Sequence, residues 1–255
     1  MNFRLKLDHI PKLVFRYQLM IICGLLLMSS ISCLFQHSSP YSLRLLYVDA
    51  EASIATWYSV FLLLLCATLL AVVALIKSRT KSRFIRHWQI LAVIFTILSM
   101  DESVTIHERL SAPLRSALNT GGVFHFAWLV VYIPLVALFV IIYLRFLAHL
   151  PKPTRQLFWL SGITYVTGAI GFEMISGSIA AASGREALLF IISAHFEEGL
   201  EMLGLTFFVY GLLSYISSYL DQVVVCLKPT QQLIGPQLRV SKTEGEVIES
   251  LGKCN

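Results

Sequence analysis

The chain has 255 residues, of which 56% are hydrophobic and only 14% charged, and its mean hydropathy is +0.73. A soluble domain of this size carries about a quarter charged residues, so the composition excludes a soluble globular protein, a disordered chain and a secreted disulfide scaffold. What remains is an all-α, polytopic transmembrane helix bundle, in which each apolar run of about 20 residues crosses a ~30 Å hydrocarbon core.

Six apolar segments are read in chain order: Arg16 to Phe35, Ser53 to Ile76, Trp88 to Leu110, Val123 to Leu144, Leu157 to Gly177, and Ala187 to Tyr219. The first has basic residues ahead of it, as a signal peptide does. Five further spans downstream make an uncleaved first helix the expectation. Residues 1–220 are thus expected to form the transmembrane domain, and residues 221–255 a largely flexible cytoplasmic tail. Within the tail, Ser241-Lys-Thr-Glu244 has the form of a capping box.

Basic residues set the orientation. Sixteen fall on one side: Arg4, Lys6, Lys12 and Arg16, then Lys77, Arg79, Lys81, Arg83 and Arg86, then Arg145, Lys152 and Arg155, and finally Lys228, Arg239, Lys242 and Lys253. Four fall on the other, namely Arg44, Arg109, Arg115 and Arg185. The positive-inside rule therefore expects both termini in the cytoplasm, and an even number of spans requires the same. The net charge of +5 is a topology signal, with no nucleic-acid partner implied. Cys23, Cys33, Cys66, Cys226 and Cys254 form no C-x-x-C pair, so neither a redox motif nor a zinc ribbon is expected. Most aromatic residues are expected to face lipid, with Trp57 and Trp88 at belt positions.

The ionisable residues inside the spans carry the functional reading. The third span holds Asp101, Glu102, His107 and Glu108; His125 opens the fourth; Glu173 lies near the end of the fifth; the sixth begins His195-Phe-Glu197-Glu198-Gly-Leu-Glu201. At 1.5 Å per residue from the cytoplasmic charges, Asp101 falls roughly 7 Å and Glu173 about 6 Å inside the outer boundary. On an unbroken helix, Asp101, Thr105 and Glu108 share one stripe. His195, Glu198 and Glu201 spread over about 120°. A mid-membrane acid costs about 2.5–3.5 kcal/mol, and seven acids here face only Arg109, Arg115 and Arg185. A bound cation, shared protons or water must relieve that charge.

Helix bundles build metal sites from carboxylates and histidines at this spacing. The donor set suits Zn, Mn or Fe, with Asp101, Glu108, Glu173, His195, Glu198 and Glu201 as ligands and His107 as general base or additional ligand. The leading expectation is a membrane-embedded, metal-dependent enzyme acting on a lipid or small molecule from the extracytoplasmic side. A proton- or metal-cation-coupled transporter, or a non-catalytic accessory subunit of a membrane complex, would use the same residues.

The strings Asp101-Glu102…Ile106-His107-Glu108 and His195-x-Glu197-Glu198…Glu201-Met202 resemble those of multi-pass bacterial membrane proteins of unknown function. That resemblance implies a bacterial plasma membrane, the inner membrane where there are two. Ser103-x-x-x-His107 is similar to a motif of the alkaline-ceramidase-like membrane hydrolases, which hold zinc among transmembrane helices. The paired histidines found late in that family are absent, position 199 being Gly.

Overall fold

The computed structural model describes residues 2–6, 9–35, 44–79, 82–219 and 222–226. Its body is all-α. In chain order the helices are α1 (Ile10–Phe35), α2 (Ile54–Arg79), α3 (Ile85–Val104), α4 (Ile106–Leu118), α5 (Leu129–His149), α6 (Lys152–Val166), α7 (Glu173–Ser183) and α8 (Leu188–Ser217). Five stretches are long and apolar enough to cross a membrane: α1, α2, α5, the α6–α7 unit and α8. The α3–α4 pair makes a sixth if its bent halves are counted together. These helices are compatible with an integral multi-pass membrane protein.

Apolar composition makes these segments helical, and packing arranges them around α8, which contacts α1, α2, α6 and α7. The core runs along α2, α3 and α8 and includes Leu62, Leu63, Leu70, Val209 and Leu212. Small residues let α6 approach α8 closely. A Cβ on Gly204 would sit 2.7 Å from the Tyr165 backbone nitrogen, and Ser161 Oγ donates to the Gly204 carbonyl at 2.8 Å. Trp88, expected in the lipid belt, is instead buried. It stacks on Tyr215 and meets Phe146 edge-on, because an indole between two packed helices gains more contact than one at the interface. Trp57 is exposed.

Two short strands, β1 (Asn2–Lys6) and β2 (Gln222–Cys226), pair antiparallel from Asn2↔Cys226 to Lys6↔Gln222. They bring the segment before α1 and the segment after α8 to one end of the bundle. The proposed capping box at Ser241 to Glu244, and Cys254, lie outside the described residues.

The sixth span is one continuous helix, and two others differ in shape from expectation. The fifth contains a π-helical turn at Thr167–Phe172 between α6 and α7. The third is broken: α3 ends at Val104, α4 starts at Ile106, and their axes differ by 74°. Thr105 between them has φ 56° and ψ 44°. That left-handed conformation is costly for a β-branched residue and is held by the hydrogen bonds described next.

Candidate functional site

Asp101 builds the corner. Its backbone carbonyl accepts the Thr105 N–H, which closes the last turn of α3. Its carboxylate Oδ1 accepts the His107 N–H at 3.0 Å. That N–H belongs to the first turn of α4 and has no partner within its own helix, so the Asp101 side chain caps α4 from the preceding helix. The second oxygen, Oδ2, lies 3.0 Å from His107 Nδ1. One buried carboxylate thus fixes both the backbone and the ring of His107. With Nδ1 committed to Asp101, ligation or proton transfer by this ring runs through Nε2. Trp128 packs edge-on against the imidazole, with ring centroids 5.1 Å apart.

The break changes which groups converge. Asp101, Thr105 and Glu108 do not form one stripe, because the helix carrying them is interrupted between the first and the last. Glu108 turns to the α1–α2 connection, where its carboxyl hydrogen-bonds that of Glu51. Asp101 and Glu102 stay at the end of α3, and the charge of His107 reaches both Glu102 and Glu201.

On the opposite wall, α6, the π turn, α7 and α8 supply the remaining groups. Trp128 Nε1 donates to Glu173 Oε1 at 3.0 Å. Glu173 and Glu197 are hydrogen-bonded carboxyl to carboxyl. Ser176 Oγ lies 2.9 Å from both Glu197 Oε2 and Ser193 Oγ. Tyr165 bonds Glu201 from α6. The π turn sits directly on this stretch: a Cβ on Gly168 would be 2.7 Å from the Glu197 carbonyl oxygen and 3.0 Å from Glu201 Cγ. Such turns often mark functional stretches of helices. Here the turn lets the backbone close on α8 beside two acids.

The charge layer is therefore wider than the spans alone. Glu198 interacts electrostatically with Glu201, Glu102, Glu173 and Asp49, and Glu201 with Glu102 and Glu173. Asp49 and Glu51, in the connection between α1 and α2, are the members that sequence reasoning missed. Burial pushes the Asp49 carboxyl up to about 7, opposed by Arg185 and reinforced by Glu173 and Glu51. Burial and the nearby Asp49 also push the Tyr47 hydroxyl up. Arg185 reaches Asp49 and Glu108 while its guanidinium lies 5.0 Å from the Phe126 ring centre. Among the described residues, His107 and Arg185 lie in electrostatic reach of this group of acids.

The sequence-derived residues divide as follows. Glu173, Glu198 and Glu201 lie within mutual electrostatic reach, Asp101 and His107 form one unit, and Glu108 stands beside Glu51. His195 is on the same stretch of α8, but its Nδ1 is 2.7 Å from the Ile191 carbonyl oxygen. Its Nε2 is buried without a partner, and its ring faces Tyr47 at 6.1 Å. Among the described residues, no three His, Cys, Asp or Glu side chains are already spaced to hold a metal ion. The acids are instead tied to one another and to Ser, Tyr and Trp donors.

No match was found among curated proteins or among solved structures. One family model matches residues 19–215, from within α1 to the last turns of α8, which takes in every member of the acidic centre. The chain belongs to the family described as "Domain of unknown function (DUF8692)".

Proposed function

We propose that this is an integral protein of a bacterial plasma membrane, both termini cytoplasmic, whose acidic centre near the extracytoplasmic face binds a divalent cation in exchange for protons. The observation that carries the reading is that Asp49, Glu102, Glu173 and Glu201, drawn from one loop and three helices, all lie in electrostatic reach of Glu198. In a low-dielectric setting so many carboxylates are not all ionised without a counter-charge. The hydrogen-bonded carboxyl pairs Glu173–Glu197 and Glu51–Glu108 each require a proton between them. A divalent cation replaces those protons most directly, and release of the pairs frees oxygen ligands for it.

The donors are oxygen and imidazole nitrogen, which suits Zn, Mn or Fe. Glu198, Glu201, Glu173 and His107 Nε2 are the ligands this arrangement favours. Asp101 then serves as the outer carboxylate that orients the imidazole, a common arrangement behind metal-bound histidine. His195 Nε2, buried without a partner, is a further nitrogen for the same ion. Bound there, the ion would polarise a substrate carbonyl or phosphoryl oxygen, or activate water, in a membrane-embedded enzyme acting on a lipid or small molecule.

The carboxyl pairs favour a second reading, a proton- or metal-cation-coupled transporter that binds and releases the ion at this centre. Purified protein in proteoliposomes separates the two. Turnover of a lipid substrate without ion flux supports the enzyme; cation uptake driven by a pH gradient and lost in Glu201→Gln supports the transporter.

A further inference from the structure

At the opposite end of the bundle, where β1 pairs with β2, a groove of about 350 Å³ runs between α1, α6 and α8. Its floor is apolar and aromatic: Phe15 stacks on Phe207 with centroids 5.7 Å apart, Tyr210 packs against Phe15 at 5.4 Å, and Leu157 closes the side. Its rim is Lys12 and Arg16, which lie one helical turn apart on the same face of α1. Neither is in an ion pair among the described residues. The surrounding helices offer them no counter-charge, since α1 and α6 contain no acid at all and the nearest acid of α8, Glu201, is six residues from Phe207 toward the other end.

We infer that this groove holds an anionic glycerophospholipid, its phosphate between Lys12 and Arg16 and an acyl chain along Phe15, Leu157 and Phe207. Depth supports the assignment. Lys12 and Arg16 fall in the first two turns of α1, and Phe207 and Tyr210 lie 10 and 7 residues from the end of α8. At 1.5 Å per residue this sets the cations at the headgroup level and the aromatic floor about 10–15 Å deeper than the helix end, among acyl chains. Basic pockets between transmembrane helices on the cytoplasmic side are where anionic headgroups bind, and an aromatic floor retains a chain that a bare basic surface does not. Two cations with no ion pair among the described residues, beside a groove lined otherwise by Phe15, Leu157, Phe207 and Tyr210, match a ligand that is anionic at one end and apolar at the other. This assignment is independent of the acidic centre.

The test uses the full-length protein in mild detergent, titrated with phosphatidylglycerol and read by native mass spectrometry. Phosphatidylcholine with the same chains, and inorganic phosphate as competitor, are the comparison arms. One phosphatidylglycerol is expected to bind, Lys12→Gln/Arg16→Gln to weaken it by about tenfold or more, and Phe15→Ala to weaken it as well. Lys152→Gln/Arg155→Gln, which removes basic residues outside the groove, is expected to leave it unchanged. Equal binding of phosphatidylcholine, displacement by inorganic phosphate, undiminished binding by the Lys12/Arg16 variant, or equal loss in the Lys152/Arg155 variant would each overturn the assignment.

Discussion

Asp101 holds His107 at two points, its Oδ1 accepting the backbone N–H and its Oδ2 lying beside the ring Nδ1, both at 3.0 Å. Two jobs, capping α4 and orienting an imidazole, rest on a single side chain, so its loss affects stability and site geometry together. Asp101→Ala removes the cap and leaves Nδ1 without its partner, and is expected to destabilise the protein by about 2–4 kcal/mol. Asp101→Asn keeps one acceptor and is expected to cost about half as much. Unfolding of the purified protein in detergent measures both; equal stability of the Ala variant would remove Asp101 from this role.

The left-handed Thr105 is the strained element of the same corner. Glycine adopts that conformation without a Cβ penalty, so Thr105→Gly is expected to stabilise the fold by about 1 kcal/mol. A loss of similar size would mean that the threonine side chain is itself a needed contact.

Gly204 sets how closely α6 lies on α8. An added methyl meets the Tyr165 backbone at 2.7–2.9 Å, and neither backbone can turn aside as a side chain would. Gly204→Ala is expected to cost about 1–3 kcal/mol and to draw Tyr165 away from Glu201. Gly162→Ala, where nothing lies within 4 Å of the new atom, serves as control and is expected to be neutral or slightly stabilising. Thermal unfolding of the two variants side by side gives the comparison.

Asp49 makes stability depend on pH. Its carboxyl is pushed from 3.8 to about 7 in the folded protein, so the folded state holds a proton that the unfolded chain gives up. Its contribution is fully present below about pH 4 and is lost as pH rises through 7. Asp49→Asn, neutral throughout, is expected to flatten the fall in melting temperature between pH 5 and pH 8. A slope identical to that of the parent protein would show that Asp49 ionises freely in the fold.

The spans and the acidic layer were legible from the chain because both follow from translation along a helix. A 20-residue apolar run sets where a helix can cross, and a count at 1.5 Å per residue from the basic ends of the spans puts Asp101 and Glu173 at comparable depth. Features that depend on what one segment does to another were not legible. Thr105 carries no helix-breaking signature. Its break is made by Asp101 reaching across to cap α4, so the expected stripe of Asp101, Thr105 and Glu108 gave way. The π turn at Thr167–Phe172 shifts every facing residue after it, and no local composition announces it. Asp49 and Glu51 lie in the connection between α1 and α2, and only the packing of that connection brings them to Glu198 and Glu108.

Exchange of protons for a divalent cation at the acidic centre is open to direct measurement. Calorimetric titration of the purified, chelator-stripped protein with Zn, Mn or Fe(II), repeated in two buffers of different ionisation enthalpy, tests it most directly. Saturable binding of one ion per chain with net proton release is expected, abolished in Glu198→Gln and Glu201→Gln while the fold is retained. Absence of saturable binding for all three ions, or binding that survives both substitutions, would contradict it.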